Sequence, residues 1–525
     1  MAPDTIMTSP LLWTLVAIQI AMGGFDVVVH HELTERLAWR HGAARELRLH
    51  ALRNAFYAML FAAFAWLRPT GWAAILLVAI LLAEIVITLA DFVEEDVTRK
   101  LPASERVLHT LLAINYGAIL ALLGPEIVAW TSETTALVPV SYGSGSVLVT
   151  AAALGVALFG LRDLHTSRRA AAFVVPPPVP LDDVLAGGAR AILVTGGTGF
   201  VGRALAEALV VAGHDVTILT REVGRAAGLS TPLRLVTSLD QIPASARIDA
   251  IVDLAGEPVA GGLWTRWRRR EIVASRLRVL AAIGRLVDRL ETPPGVLVKA
   301  SAIGYYGVAG DRPLTEASPA GPRGEFAARS CAIVERAAAR WSRRHGVRHV
   351  SLRIGLVLGR DGGVLGRLLP AFDLALGGPI GDGRQWMSWI TREDLVRLIA
   401  FAIGRETSSG PLNATAPAPV RNRDFARILG RVLSRPAVLP LPSRPLELVL
   451  GDLARELLTG GQRVRPAAAE AAGFRFRDPD LDTALRRIVL GAAAPPPPMA
   501  PANGRSRQNG EPDLRPALAP GRGQR

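Results

Sequence analysis

The chain has 525 residues, half of them hydrophobic, a formal net charge of +14 and one cysteine, Cys331. A single cysteine excludes an intrachain disulfide and agrees with a reducing compartment. The excess of arginine fits an anionic membrane surface better than nucleic acid, because the basic residues interleave with acids and no module of stacking aromatics accompanies them.

Apolar residues concentrate in the first 165 positions, in five stretches of helical length: Pro10–Val29, Arg53–Leu67, Trp72–Asp91, Val107–Val128 and Val147–Leu161. A membrane helix needs about 20 apolar residues, so the second and the last are short for a span. The second and third meet at Arg68-Pro69-Thr70-Gly71, a candidate tight hairpin. The first stretch lacks a basic leader and a small-residue cleavage site, and reads as a span rather than a signal. Lys and Arg gather in alternate loops, at Arg36–Arg53, Arg99–Arg106 and Arg162–Arg169. The positive-inside bias then predicts a multi-pass inner-membrane domain over 1–166, N-terminus out, with everything after it cytoplasmic.

Polar residues in these stretches recur at helical spacing. His30, His31 and Glu32 end the first stretch, and Glu46 and His50 precede the second. Glu84, Asp91 and Glu95 share one face of the third, while Glu105 and His109 start the fourth. Histidine and carboxylate ligands from several helices of a bundle can hold a metal or a metal pair, which makes His30, Glu32, His50, Glu84, Asp91 and His109 candidate ligands. The plainer alternative is a polar cap paired with neighbouring arginines. Glu84 argues against it, being an ionisable group inside an apolar run.

A proline-stiffened linker is expected over 167–189. Strand and helix patterns then alternate from 190 to 490, before a disordered Pro/Arg-rich tail over 491–525. The run Ala191–Thr195 reads as a buried strand and is followed by Gly196, Gly199 and Gly202, then by a helix-forming segment. In this context the first glycine permits the turn, the second admits a pyrophosphate, and the third lets helix pack on strand. Thr198, Phe200 and Val201 lie within the same turn. The next strand ends in Arg221, where an NAD enzyme would carry an acid; an arginine there suits the 2′-phosphate of NADP, and Arg225 is placed to help. After a further strand comes a turn of Leu254, Ala255 and Gly256.

With this turn, the segments Leu254–Pro258, Trp264-Thr265, Ser275-Arg276, Ser301–Gly307, Phe326 with Cys331, Arg353–Leu358, Gly377–Gln385, Ser388–Ile390, Arg435-Pro436, Gln462–Val464 and Gly473-Phe474 occur in order. The series resembles the atypical "epimerase family" of extended short-chain dehydrogenase/reductases. The resemblance implies an α/β Rossmann domain with a smaller C-terminal substrate subdomain and NADP(H) as cofactor, lined by the turn of Leu254, Ala255 and Gly256. It implies no particular substrate.

Catalytic members of that superfamily use a Ser or Thr to hold a substrate oxygen, a Tyr as acid/base and a Lys four residues later. Ser301 matches the first. The helix that should carry the pair offers Phe326 and Ser330 in one register, Ala327 and Cys331 in another, and no Tyr or Lys in either. Tyr305 and Tyr306 are the nearest phenols and candidate proton donors, and Arg384, Gln385 and Trp389 are expected on the substrate side of a glycine-rich loop. These residues predict a membrane-anchored NADP-dependent oxidoreductase or epimerase-like protein acting on a small or lipid-linked molecule. The alternatives are a non-catalytic NADP sensor or scaffold, and a membrane metalloprotein supplied with reducing power by the soluble domain. The oligomeric state is not fixed by the sequence.

Overall fold

The computed structural model describes residues 6–40, 42–98, 101–226, 229 and 232–491, with only the backbone of Arg225. The expected tail lies outside the described residues, apart from Gly491. The first helix, α1 (Pro10–Phe25), starts with proline in its first turn, where the missing N–H costs nothing. It runs on as a π-helix over Asp26–Thr34 and a 3₁₀ turn over Leu37–Trp39. Then come α2 (Ala44–Trp66), β1 (Leu67–Thr70), α3 (Trp72–Thr98), α4 (Ala103–Thr131), β2 (Ala136–Pro139) and α5 (Ser144–Ala172).

The expected hairpin at 68–71 is a strand and a glycine. Strand β1 pairs antiparallel with β2, and Gly71 at φ 58° turns the chain where a side chain would meet Thr135 Cα at 2.7 Å. Helix α2 packs along α5, and Gly160 lets the two approach closely, its Cβ position being 3.0 Å from Asn54 Cβ. Among the described residues, four segments are long and apolar enough to cross a membrane: Pro10–Trp39, Trp72–Thr98, Ala103–Thr131 and Ser144–Ala172. The expected count of five is thus reduced to four. Helix α2 drops out because its first half carries Arg45, Glu46, Arg48, His50 and Arg53. The four apolar segments turn large side chains outward, among them Leu82, Val86, Val93, Ile114 and Leu158.

Helix α5 runs past the expected domain end at 166 to Ala172, so the linker is shorter than expected. Its second half also belongs to the next core, since Leu181 and Leu185 are buried there. That core is built on β3 (Ala191–Thr195), α6 (Phe200–Val211), β4 (Asp215–Leu219), β5 (Arg234–Val236), β6 (Ala250–Asp253), α7 (Arg266–Arg289) and β7 (Val296–Ala302). It continues with the short β8 (Pro313–Leu314), α8 (Phe326–His345), β9 (Arg348–Ile354), β10 (Leu356–Gly359), α9 (Gly363–Asp373), β11 (Trp386–Met387), β12 (Trp389–Thr391), α10 (Arg392–Gly404) and β13 (Gly410–Ala414).

Seven strands form one parallel sheet in the order β13-β9-β7-β6-β3-β4-β5. A parallel sheet must be covered on both faces, and its strands accordingly read as continuous apolar runs such as Ile192–Val194 and Ile251-Val252. Helices α6 and α10 bury one face, α7 and α8 the other. The chain leaves β3 for β4 on one side and reaches β6 on the other. The carboxyl ends of β3 and β6 flank this switch point, and it is in the crevice at that position that such sheets take ligands. The C-terminal part adds α11 (Asn422–Leu433) and a helix over Leu481–Leu490, packed on each other around Trp389 and Phe372. Ala38 and Trp39 of the N-terminal part enter this same apolar cluster.

Candidate cofactor site and active site

The turn from β3 into α6 is closed by glycines for steric reasons that can be named. Gly196 has φ 72°, and a side chain there would stand 2.9 Å from Ala255 N in the turn after β6. A side chain on Gly202 would run into the Gly196 carbonyl and approach Gly197 Cα to 2.7 Å. Gly199 is the exposed N-cap of α6, so the first N–H groups of the helix face the crevice with the positive end of its dipole. Thr198 and Val201 are half-buried in the same turn. Phe200 packs instead against the loop before α9, its ring 2.6 Å from the Cβ position of Gly359. Arg221 follows β4 and is exposed beside this crevice. The Arg225 side chain lies outside the described residues.

Leu254, Ala255 and Gly256 form the opposite wall. Leu254 N donates to Thr195 O at 3.1 Å, which ties the β6 turn to the β3 turn. Beneath it lies a buried ion pair that sequence reasoning missed: Lys299 Nζ is 2.7 Å from Asp253 Oδ2, and both side chains are sealed from solvent. Thr195 Oγ1 donates to Asp253 Oδ1 at 2.6 Å, and Ala255 N donates to the same oxygen at 3.2 Å. The register explains the meeting, because Thr195 pairs with Asp253 and Asp253 with Lys299 across three adjacent strands. A buried pair of this kind specifies geometry more than stability. Here it fixes the turn that lines the crevice.

Two residues further along the strands a second polar row crosses the sheet, Ser301 opposite Arg353 and Arg353 opposite Asn413. Ser301 Oγ donates to Glu335 Oε1 at 2.7 Å. Arg353 grips the same carboxylate with two bonds of 3.0 and 2.8 Å. Burial pulls the Arg353 guanidinium down, but its bonds to Glu335 hold it above its ordinary value, so it stays a cation. Its Nη1 also donates to Tyr306 Oη at 2.9 Å, and Tyr306 donates onward to Asn413 Oδ1 at 2.7 Å. Tyr306 is 1% exposed, and burial raises its phenol above the usual range. With both roles of its hydroxyl taken inside the fold, Tyr306 is an anchor. Tyr305 is half-buried, its ring 3.5 Å beneath the Arg353 guanidinium, which makes it the more accessible phenol.

Helix α8 carries the missing Tyr and Lys positions. Its first two N–H groups, at Phe326 and Ala327, donate to the two oxygens of Glu456 at 2.9 and 2.7 Å. Cys331 lies against Ser301 and Ala302, and burial followed by the Glu335 charge pushes its thiol up, so it is a neutral packing group. Glu335, one turn after Cys331, was legible only as a helix-surface acid.

The expected substrate residues do not converge. Trp389 is fully buried, with Nε1 bonded to Ala418 O at 3.0 Å, and belongs to the core. Gln385 Nε2 ties the carbonyls of Ile380 and Leu458, each at 3.0 Å. Arg384 alone remains exposed. A tryptophan beside a glycine-rich loop reads the same in sequence whether it lines a pocket or plugs a core.

Of the expected metal ligands, the structure brings His50, Asp91 and His109 to one buried cluster. His30 bonds Asp26 at 2.8 Å at its edge. Glu32 is diverted to Arg162, with one bond of 2.8 Å. Glu84 stands apart, accepting from Tyr116 and Thr88 at 2.8 and 2.6 Å. Asp26, His31, Glu95 and Glu105 complete the cluster.

Residues 192–414 match the NAD dependent epimerase/dehydratase family, and residues 441–488 match a domain of unknown function, DUF1731. The N-terminal helices lie outside both matches. The chain is 38% identical over 308 residues to the chloroplastic epimerase family protein SDR39U1 homolog of Arabidopsis thaliana, covering 57% of this chain and 86% of that protein. It is 37% identical over 303 residues to epimerase family protein SDR39U1 of Bos taurus, covering 99% of the relative. The crystal structure of human epimerase family protein SDR39U1 with NADPH aligns at 32% identity and a TM-score of 0.49, over 57% of this chain and 99% of that one. Over the part that these relatives match, the chain belongs to the epimerase family typified by SDR39U1, within the extended short-chain dehydrogenase/reductases.

Proposed function

We propose that the protein is a membrane-anchored NADP(H)-dependent oxidoreductase or epimerase-like enzyme, acting at an alcohol or carbonyl carbon of a small or lipid-linked molecule. The observation that carries the cofactor assignment is the glycine cradle between β3 and α6, which no side chain larger than hydrogen fits at Gly202. Arg221 at the rim supplies the charge for a 2′-phosphate. NADPH is the ligand named with the human relative, and it supplies a hydride when bound.

The chain's own residues would orient the reacting group. Ser301 stands at the mouth of β7 with its hydroxyl hydrogen directed to Glu335, which leaves the oxygen lone pairs to accept. Arg353 holds the Glu335 carboxyl in place with two bonds, and Tyr305 is the nearest accessible phenol for proton delivery. Anchoring is supported by four long apolar segments and by the arginines that gather at one end of them. That bias supports an outside N-terminus and a cytoplasmic Rossmann domain in a cytoplasmic membrane.

A second reading, a non-catalytic NADP(H) sensor, is favoured by one feature. The start of α8 offers Phe326, Ala327, Ser330 and Cys331 where the superfamily's Tyr and Lys stand, and Glu456 already occupies its first N–H groups. NADPH oxidation by membranes carrying the full chain, tested over a panel of lipid and carbonyl compounds, separates the two. Turnover abolished by Ser301→Ala supports the enzyme. NADPH binding with no turnover on any compound supports the sensor.

A further inference from the structure

The helical part holds a second concentration of chemistry, unrelated to the Rossmann site. The π-helix of Asp26–Thr34 turns Asp26, His30 and His31 inward together, which a regular α-helix does not do for adjacent residues. Such π segments recur at functional sites. Helix α2 adds His50, α3 adds Asp91 and Glu95, and α4 adds Glu105 and His109. All of these side chains are buried, the carboxylates of Asp91, Glu95 and Glu105 completely.

The distances are the informative part. Asp26 Oδ2 lies 3.2 Å from His109 Nε2 and 3.4 Å from His31 Nε2. His31 Nε2 lies 3.8 Å from Glu105 Oε1 and makes no hydrogen bond, although it is buried. Ligating atoms of Asp26, His31, Glu105 and His109 all fall within 4.8 Å of one another. Atoms bound about 2.1 Å from one ion stand roughly 3.0–3.5 Å apart at tetrahedral or cis-octahedral angles, and the separations of Asp26 from His109 and His31 fall in that range. His109 is within hydrogen-bond reach of Asp26, whereas the 3.4 and 3.8 Å contacts of His31 Nε2 are long for hydrogen bonds.

A second group, His31, His50 and Glu95, meets the same criterion beside the first. His50 Nε2 is 3.2 Å from Asp91 Oδ1 and 3.4 Å from Glu95 Oε1. His109 joins the groups, its Nδ1 being 3.5 Å from Glu95 Oε2.

We propose that this cluster is a metal centre, taking first-row divalent ions of the iron, manganese or zinc class, with room for two. A donor set of imidazole and carboxylate, without thiolate, selects that class. Helices contributing inward histidines and carboxylates to a bundle core are a known way to build it.

The test uses the full chain, purified in detergent from cells supplied with iron, manganese and zinc, and measures its metal content by mass spectrometry. About one to two ions per chain are expected to survive gel filtration. His31→Gln and His109→Gln are each expected to lower retention by about tenfold or more at an unchanged elution position. A wild-type chain that holds none of these metals, even after anaerobic reconstitution, overturns the proposal. Equal retention in both variants overturns it too, since the metal is then bound elsewhere. If the variants aggregate, the wild type decides: a chelator must lower its thermal midpoint and the metal restore it. No shift in either direction overturns the proposal.

Discussion

Asp373, the last residue of α9, and Arg169, near the end of α5, form a salt bridge of 3.2 Å that joins the two parts of the chain. Arg162 approaches the same carboxylate at 3.4 Å and holds Glu32 of the π-helix at 2.8 Å. The Arg169 guanidinium also lies 4.0 Å over the ring of Trp39, which is buried in the Rossmann-side core. At its other end α9 follows the glycine loop packed on Phe200, at the start of the cofactor helix. A continuous set of contacts therefore runs from the nucleotide cradle to the N-terminal helices.

Removing the shared carboxylate leaves two half-buried guanidiniums facing each other. Asp373→Ala is expected to destabilise the junction by about 1–3 kcal/mol. The measurement is the thermal midpoint of the detergent-solubilised chain, together with its rate of proteolysis in the proline-rich stretch after Ala172. An unchanged midpoint and rate would show that the junction is held by Trp39 packing alone.

Gly202→Ala introduces a methyl group against the Gly196 carbonyl, with backbone on both sides and no flexible neighbour to give way. Overpacking of this kind costs about 1–3 kcal/mol and displaces the turn that would receive the pyrophosphate. Nucleotide binding, followed by intrinsic fluorescence, is expected to be lost while the far-ultraviolet circular dichroism persists.

Tyr305 and Tyr306 are expected to separate cleanly. Tyr306→Phe takes the donor from Asn413 Oδ1 and removes one Arg353 partner, and should lower stability by about 1–3 kcal/mol. Tyr305→Phe removes a phenol from a half-buried ring and should leave the midpoint unchanged while slowing any NADPH-dependent turnover. Equal stability loss in both would remove Tyr305 from consideration as a proton donor.

Cys331 offers a pH reading with a definite sign. Burial and the Glu335 charge raise its pKa, so the thiolate fraction at neutral pH is below that of a free thiol, whose pKa is about 8.5. Alkylation of the folded chain should be slower than that of the unfolded chain. It should also keep rising with pH where an ordinary thiol has levelled off. Equal rates at neutral pH would contradict the packing role.

Much of this organisation is readable from local pattern. The β3 strand, its glycines and the start of α6 are contiguous, so their meaning needs no tertiary knowledge. Ser301 is legible because it ends a strand inside an ordered motif. Glu335, Asn413 and Glu456 are not, since each reaches its partner from a distant segment and looks alone like any helix or strand polar residue. Asp26 is harder to place for another reason: counting by 3.6 residues per turn puts it with His30 but not with His31, whereas the π-helix puts it with both. Helix α2 misled in the opposite sense. Its apolar second half resembles a short span, and only the charged first half, which buries Glu46 and His50, shows its use.

The central claim is that the β3–α6 cradle with Arg221 selects NADP(H). The most direct measurement compares NADPH and NADH affinities of the full detergent-solubilised chain, wild type and Arg221→Ala. Charge-assisted hydrogen bonds to a phosphate contribute about 1.5–3 kcal/mol. NADPH should therefore bind the wild type at least about tenfold more tightly than NADH does, and the substitution should abolish that difference. Equal affinities in the wild type, or a preference that survives in Arg221→Ala, would contradict the account.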